Sequence, residues 1–390
     1  MNLRVLERTN GQWTAEPGFG VYVHIPFCRH RCHYCDFNTY EGVDDLHGAY
    51  VDALIRQIES AEPASRAATS VFFGGGTPTL LAPKELGRIL EAVDARYGLQ
   101  TGAEITVEAN PETVDVQAFR ELRAAGFTRL SIGIQSLSEK VLRGLGRTHS
   151  AQVALDVLGA ARAAGIANVN ADLIFGSPWE TDADWHGTLQ ELVAVRPAHI
   201  SAYALTVEEG TPLATLVATG RVADIDPDVQ AARYEVAEAV LEAAGYRRYE
   251  VSNWALEDRC SRHNVLYWCA GEYAGFGAGA HGHLAGRRYW NERLPRDFIA
   301  QLSAGRDAKA GEERLEGIDR AAEAMVLGLR LTSGVSRGGF AGRFGEPAWG
   351  ELRRRLEPGA GAGLVELNSE AVRLTRRGVL FHSEVARGLL

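Results

Sequence analysis

The sequence predicts an α/β fold: six βα units in succession forming a partial (β/α)6 TIM-like barrel, followed by a small α+β domain of winged-helix type. Two patterns predict it. Apolar runs of strand length alternate with amphipathic runs of helical length through the first two-thirds of the chain. Polar residues also recur at the ends of several of those strands rather than at one crevice. Strands that alternate with helices run parallel with right-handed crossovers, and a barrel gathers its functional residues at the C-terminal ends of its strands. A doubly wound sheet is the alternative that the same alternation allows.

The first strand is Val21–Ile25, an alternating run stopped by Pro26. The others are Val71–Phe73, Ile105–Glu108, Leu130–Gln135, Val169–Phe175 and Ile200–Leu205. Helical patterns fill 45–60, 83–98, 115–125, 150–164, 182–195 and 228–244. Ala151–Ala164 is alanine-rich, which favours a helix, and Gly165 is placed to stop it. Beyond the barrel, Arg306–Glu316 reads as a charged linker, Ala321–Leu331 as an amphipathic helix and Leu352–Leu356 as part of another. Gly363–Leu374 reads as a hairpin turning at Asn368-Ser369, with a short helix after it. The expected division is therefore 1–18, an N-terminal extension; 19–245, the barrel; 246–305, a connecting segment; and 306–390, the C-terminal domain.

The loop after the first strand announces the chemistry. Cys28, Cys32 and Cys35 stand within His24-Ile-Pro-Phe-Cys-Arg-His-Arg-Cys-His-Tyr-Cys-Asp-Phe37. Iron–sulfur clusters are usually held by four thiolates. Three protein ligands and one open position is the arrangement of a metal centre that must bind something further. With His30 or His33 the same residues fit a Cys3His zinc site, and incidental thiols are the remaining alternative. The second strand ends in Gly74-Gly75-Gly76-Thr77-Pro78, where missing side chains let backbone approach a ligand. Glu108, then Asn110-Pro111, ends the third strand, and Gln135-Ser136 ends the fourth, with Arg147 twelve residues on. Asp172 lies inside an apolar strand, where a charge is costly unless it is paired or bound to a ligand.

With 390 residues, 46% of them hydrophobic, the chain can bury a large core. No run approaches the ~20 apolar residues of a membrane span, and Met1–Gly18 has no signal-peptide core. Five cysteines, an odd number in a long chain, do not describe a disulfide framework. A cytoplasmic, reducing compartment is the expectation. The net charge of −9 argues against broad binding to nucleic acid or anionic membrane.

Together, the Cys28-x3-Cys32-x2-Cys35 loop, the Gly-Gly-Gly-Thr-Pro strand end and the six βα units resemble the radical S-adenosylmethionine (SAM) proteins. More narrowly, His-Ile-Pro-Phe-Cys, Tyr-Cys-Asp-Phe and Phe-Gly-Gly-Gly-Thr-Pro-Thr resemble the HemN/HemW group, over nearly the whole chain. The resemblance implies that Cys28, Cys32 and Cys35 hold a [4Fe–4S] cluster whose fourth iron is chelated by the methionine part of SAM. One electron then splits the sulfonium to a 5′-deoxyadenosyl radical. The resemblance also places Tyr22 and Tyr34 around the cluster and SAM. It gives the backbone amides of Gly75, Gly76 and Thr77 to the methionine end, and assigns Glu108, Gln135, Arg147 and Asp172 to SAM contacts.

The group has two branches. One is the oxygen-independent coproporphyrinogen III dehydrogenases, which carry a further cysteine two positions after the third; here that position is Phe37. The other binds haem and resembles a chaperone that passes it to target proteins. The stretch distinguishing that branch, His-Asn-x-x-Tyr-Trp, stands complete as His263-Asn264-Val265-Leu266-Tyr267-Trp268. Histidine is a common axial ligand of haem iron, and Tyr267 and Trp268 offer flat faces to a macrocycle. His263 is the expected haem contact, with a satisfied histidine in an aromatic corner as the alternative. Gly271 to His283 reads as a glycine-rich loop or close backbone approach carrying His281 and His283. Cys260 and Cys269 read as inert thiols. Arg353, Arg354 and Arg355 read as a solvated helix face, and the C-terminal domain as a docking surface for protein or a cover over the porphyrin-side opening rather than a binder of nucleic acid. The expected function is haem carriage with cluster, SAM and haem bound, haem-accepting proteins as partners and a transient membrane-associated partner among them. Coproporphyrinogen dehydrogenation is the alternative, and a radical enzyme acting on some other substrate is the residual case.

Overall fold

Alternation within each strand decides the architecture. The computed structural model describes residues 11–390; residues 1–10 of the expected N-terminal extension lie outside the described residues. Six parallel strands pair in chain order: β1 (Phe19–Ile25), β2 (Ala68–Gly75), β3 (Leu99–Ala109), β4 (Arg129–Gln135), β5 (Asn168–Phe175) and β6 (His199–Ala204). The helices between them are α1 (His47–Ser60), α2 (Pro83–Tyr97), α3 (Val116–Ala124), α4 (Glu139–Leu145), α5 (Ala151–Ala163) and α6 (Asp182–Val195). After β6 come α7 (Pro212–Ala218) and α8 (Pro227–Ala243). The expected strands and helices are all present. β3 starts earlier than its apolar stretch because its pairing with β2 continues back to Leu99.

Along β1, Val21, Val23 and Ile25 are buried in one hydrophobic core with the α1 side chains Val51, Leu54 and Ile58. Their neighbours Gly20, Tyr22 and His24 take the other face, because successive strand residues point to opposite sides. The same alternation sets Ile105 and Val107 against Glu104, Thr106 and Glu108 in β3, and Val169, Ala171 and Leu173 against Asn170 and Asp172 in β5. The outer, helix-covered face is apolar; the inner face is polar.

The sheet extends well past six strands. β7 (Arg247–Glu250) and β8 (Asn253–Ala255) form an antiparallel pair on the β6 edge. Helix α9 (Arg262–Trp268) follows, and β9 (Glu272–Phe276) then pairs in parallel with the free side of β1. Antiparallel β10 (His281–Leu284), β11 (Arg287–Asn291) and, after α10 (Pro295–Ser303), β12 (Lys309–Arg314) complete a 12-stranded sheet ordered β12-β11-β10-β9-β1-β2-β3-β4-β5-β6-β8-β7. Its two outermost strands, β12 and β7, do not pair with each other, so the barrel is partial.

Two expectations are corrected here. The stretch from Gly271 to His283 is two strands and a turn rather than a loop, although its glycines do serve close approach: a Cβ on Gly275 would lie 1.9 Å from the His281 carbonyl oxygen. Arg306–Glu316 contains edge strand β12 rather than a linker. Its side chains are charged because an edge strand faces water, and charge there discourages further pairing. The absence of any apolar alternation hid it.

The C-terminal unit contains α11 (Gly317–Gly328), β13 (Val335–Ser336), α12 (Arg337–Phe344), α13 (Glu346–Arg355), α14 (Glu357–Gly361), β14 (Val365–Leu367) and β15 (Ala371–Leu374), then α15 (Arg376–Leu380) and α16 (His382–Arg387). The expected hairpin is β14–β15, and the Asn368 side chain at its turn accepts from the Glu370 and Ala371 amides at 2.8 and 2.7 Å. Met325, Phe340, Trp349 and Leu352 form a second core shared with Trp13, with Val265 of α9 and with Cys269 just after it. Arg353, Arg354 and Arg355 each pair with Glu351 or Glu357 on their own surface. Truncating fully buried Leu54 of α1 is expected to lower stability by about 3 kcal/mol. Urea denaturation of Leu54→Ala checks it: the midpoint falls while the slope stays unchanged.

Candidate metal centre and ligand cavity

A cavity of about 430 Å³ lies at the C-terminal ends of β1 to β6. Cys28, Cys32, Cys35 and Tyr34 contribute one wall. Gly75, Gly76, Thr77, Glu108, Gln135, Arg147 and Asp172 contribute the rest of the expected set. The cysteine loop is closed on itself, with Cys28 N donating to Tyr40 O at 2.9 Å and Tyr40 N to Pro26 O at 2.7 Å. The glycine run braces it from below. Gly76 N donates to Ile25 O at 2.8 Å and Thr77 N to Phe27 O at 2.7 Å. A Cβ on Gly76 would lie 2.4 Å from Phe27 O and 3.1 Å from Cys28 Sγ, so only glycine lets the strand end pass beneath the loop.

The three thiols are half-buried and each faces a donor. Arg147 Nη1 donates to Cys32 Sγ at 3.4 Å, Thr77 Oγ1 to Cys28 Sγ at 3.9 Å, and Thr39 Oγ1 lies 3.9 Å from Cys35 Sγ. At Cys28 the Thr77 and Thr39 hydroxyls favour thiolate, the ligating form. Burial works against them at Cys28 and pushes its thiol up to about 11, so ligation there releases a proton. Arg147 Nη2 also donates to Asn110 Oδ1 at 2.7 Å and Gly133 O at 3.0 Å, while Asn110 Nδ2 donates to Thr77 Oγ1 at 2.8 Å. The ends of β2, β3 and β4 are thereby tied to the loop through one guanidinium.

Two carboxyls stand in the inner face of the barrel. Glu108 Oε2 accepts from Gly75 N at 3.1 Å. Asp172 accepts from Ser131 Oγ at 2.9 Å and Asn170 Nδ2 at 2.8 Å. Burial, then the Asp172 charge, raises the Glu108 carboxyl to about 7, and burial raises Asp172 as well. Two desolvated carboxyls beside one cavity make a site whose electrostatics favour a cation. Gln135 has φ +65° where the β4 register shifts, an uncommon backbone for a residue other than glycine.

Several expected roles change. Tyr22 does not line the cavity: its hydroxyl is 2.9 Å from His24 Nδ1 and its ring stacks on Phe72 at 6.3 Å. The amides of Gly75, Gly76 and Thr77 are all engaged inside the protein, so the glycine run offers closeness and loop support rather than free donors. His30 lies 3.8 Å from Glu41, and His33 Nδ1 is 3.0 Å from Gly144 O. Among the described residues no group of three or more His, Cys, Asp or Glu side chains is already gathered around a single ion position. His263 is buried at the opposite end of the barrel, beside the starts of β1 and β2. Its Nδ1 is 2.9 Å from Ser70 Oγ and its Nε2 2.9 Å from Tyr267 OH, so neither ring nitrogen is open to an iron. Burial pushes this imidazole down to about 3. The sequence reading missed Ser131 and Tyr203 of the cavity wall; both sit at inward positions of their strands, which the period-2 pattern identifies.

The raised Glu108 carboxyl has a sign that can be checked. Between the ordinary carboxyl value of 4.5 and about 7 the folded chain binds more protons at this site than the unfolded chain, so stability falls as pH rises through that window. Glu108→Gln removes this contribution. In ligand-free protein it is expected to leave stability near wild type at pH ~4.5 and to raise it by about 1–3 kcal/mol above pH ~7.5, read from urea melts at both pH values.

Comparison with known proteins places this geometry. The Radical SAM superfamily profile matches residues 22–192 and the HemN C-terminal domain profile residues 315–381. The heme chaperone HemW of Mycobacterium tuberculosis is 40% identical over 378 residues, 95% of each chain. That of Bacillus subtilis is 33% identical over 371 residues, 94% of this chain and 97% of its own. The mitochondrial radical S-adenosyl methionine domain-containing protein 1 of Bos taurus is 39% identical over 332 residues, covering 83% of this chain and 72% of its own. Among solved structures, coproporphyrinogen III oxidase (HemN) from Escherichia coli superposes with a TM-score of 0.82 at 22% identity, covering 100% of this chain and 93% of that one, a likeness of fold. Radical SAM proteins work with a [4Fe–4S] cluster and SAM. Three thiols on one cavity wall, with the carboxyls across the barrel, suit that pair of groups. The chain therefore belongs to the HemW family of heme chaperones within the radical SAM superfamily.

Proposed function

We propose that this chain binds haem and delivers it to haem-requiring proteins. The observation that carries the reading is full-length similarity to proteins named heme chaperones, 40% identical across 95% of both chains in one case. Phe37 agrees with it. The side chain is 64% exposed at the cavity, where the coproporphyrinogen dehydrogenase branch has its further cysteine. In this reading residues 19–245 carry the cluster and SAM, 246–305 the haem contact, and 306–390 the docking surface for recipients. The protein works in the cytoplasm and meets a membrane-associated recipient transiently; among the described residues no helix is long and apolar enough to cross a membrane.

Cys28, Cys32 and Cys35 hold the cluster in this proposal, and Tyr34, Gly75, Gly76, Thr77, Glu108, Gln135, Arg147 and Asp172 surround SAM. When bound, the two groups supply one-electron chemistry at an iron that the protein leaves open. The chain's own part is electrostatic and steric. Arg147 donates to the Cys32 sulfur, Glu108 and Asp172 would face the positive charge of a bound ligand, and Gly76 keeps the loop at its height.

Two measurements test this. Anaerobic titration of cluster-reconstituted protein with haem, followed by absorption, is expected to saturate at about one haem per chain. Coproporphyrinogen III with SAM and a reductant is expected to give no decarboxylated product. Turnover without haem binding would overturn the proposal in favour of the dehydrogenase. Separately, Gly76→Ala is expected to reduce reconstituted iron from about four per chain to near none, with the circular dichroism spectrum retained.

A further inference from the structure

On the haem-binding reading, we propose that His281 is the protein ligand to haem iron, with the Trp290 indole packed beside its imidazole and holding that ring in place. The register of the β10–β11 pair places His281 opposite Trp290 and His283 opposite Arg288. These four side chains share one face, and Tyr289 takes the other. His281 is exposed, and among the described residues neither of its ring nitrogens has a hydrogen-bond partner. His24, His199, His263 and His283 each have at least one such bond, which fixes their rings. Among the described residues the ring beside His281 is that of Trp290, centroids 5.9 Å apart and tilted 31°.

The surroundings suit a flat, dianionic macrocycle. A Cβ on Gly311 would lie 2.4 Å from Trp290 Cζ2, so β12 supplies glycine where the indole rests on it. Arg293 is exposed and, among the described residues, its guanidinium makes no hydrogen bond or ion pair, leaving it available to a propionate. Arg288 is already engaged by Glu313 and Glu323. Burial and the nearby Arg288 and Arg293 charges outweigh Glu313 and lower the His281 proton affinity, which keeps the imidazole in its neutral, ligating form.

The same geometry gives the His-Asn-x-x-Tyr-Trp stretch a supporting role. His263 packs edge-on to Tyr267 at 4.7 Å, Tyr267 to Tyr273 at 4.5 Å, and Tyr273 to His283 at 6.5 Å. The motif thus forms part of the aromatic floor under the proposed site. Asn38, three residues past Cys35, donates to Ala278 O at 3.1 Å and Arg293 O at 3.0 Å, joining the cysteine loop to both ends of the β10–β11 hairpin.

The test is an anaerobic haem titration of full-length, cluster-reconstituted protein, read by absorption and by electron paramagnetic resonance of the ferric complex. Wild type is compared with His281→Ala, His281→Gln and His263→Ala, each first shown by thermal melting to be folded. Both His281 variants are expected to lose the histidine-ligated spectrum and to bind at least about ten-fold more weakly. Added imidazole should restore the spectrum in His281→Ala. His263→Ala is expected to weaken binding yet keep a histidine-ligated signal. Unchanged spectra and affinity in the His281 variants, or loss of the histidine signal in His263→Ala alone, would overturn the assignment while leaving haem carriage standing. Failure of wild type to bind haem removes the haem-carrier reading and this assignment together.

Discussion

Six consecutive strands each present an apolar face to helices and a polar face to the barrel interior, and the rest of the molecule accommodates that asymmetry. In most (β/α) barrels the interior is filled by branched aliphatic side chains. Here it holds Glu104, Arg129, Ser131, Asn170, Asp172, His199 and Ser201, all within the strands. Cohesion therefore comes from outside. A buried leucine or valine on the helix-covered face contributes roughly 1.5–3 kcal/mol, whereas a satisfied internal hydrogen bond contributes about 1 kcal/mol net. The inner groups earn their place by specificity. Asn170 is the hub, bonded to Ser131, Asp172, His199 and Ser201 and so fixing the inner side chains of three adjacent strands.

A polar interior must be closed against bulk water at one end and open to ligand at the other. Helix α9 closes the N-terminal end with His263, whose ring nitrogens are both occupied by hydroxyls. At the C-terminal end, Arg147 gathers Cys32, Asn110 and Gly133 into one bonded group. A residue far along the chain from the cysteines thus sets the electrostatics of their loop. This is the division of labour that barrels impose, with the frame buried and the chemistry on connections at the strand ends.

Much of this was legible in the sequence because it follows from periodicity and spacing. Strands β1 to β6, their helices, the cysteine triplet and the polar strand ends all leave such marks, and Asp172 stood out as an acid in an apolar run. What escaped was whatever depends on long-range pairing. β9 joins β1 from some 250 residues away in the chain, and no local pattern specifies that partner. Edge strand β12, with four charged residues in six, mimics a linker. The resemblance gives the amides of Gly75, Gly76 and Thr77 to a ligand, yet in the fold they are bonded to Glu108, Ile25 and Phe27. His263 matches a motif, but only burial and hydrogen bonding show that its imidazole is fully engaged.

The pairing of β1 with β9 bears on how the chain is made. One side of β1 finds β2 early in synthesis, but its other side stays an open edge until Glu272–Phe276 has left the ribosome. Nascent chains grow at roughly 5–20 residues per second, so that edge and the cysteine loop beside it wait for many seconds. The loop's anchors, Ala278 and Arg293, emerge later still. Until then the half-made sheet presents an unpaired edge, the feature through which partly folded chains pair wrongly, and the cysteine loop lacks the anchors that fix its position.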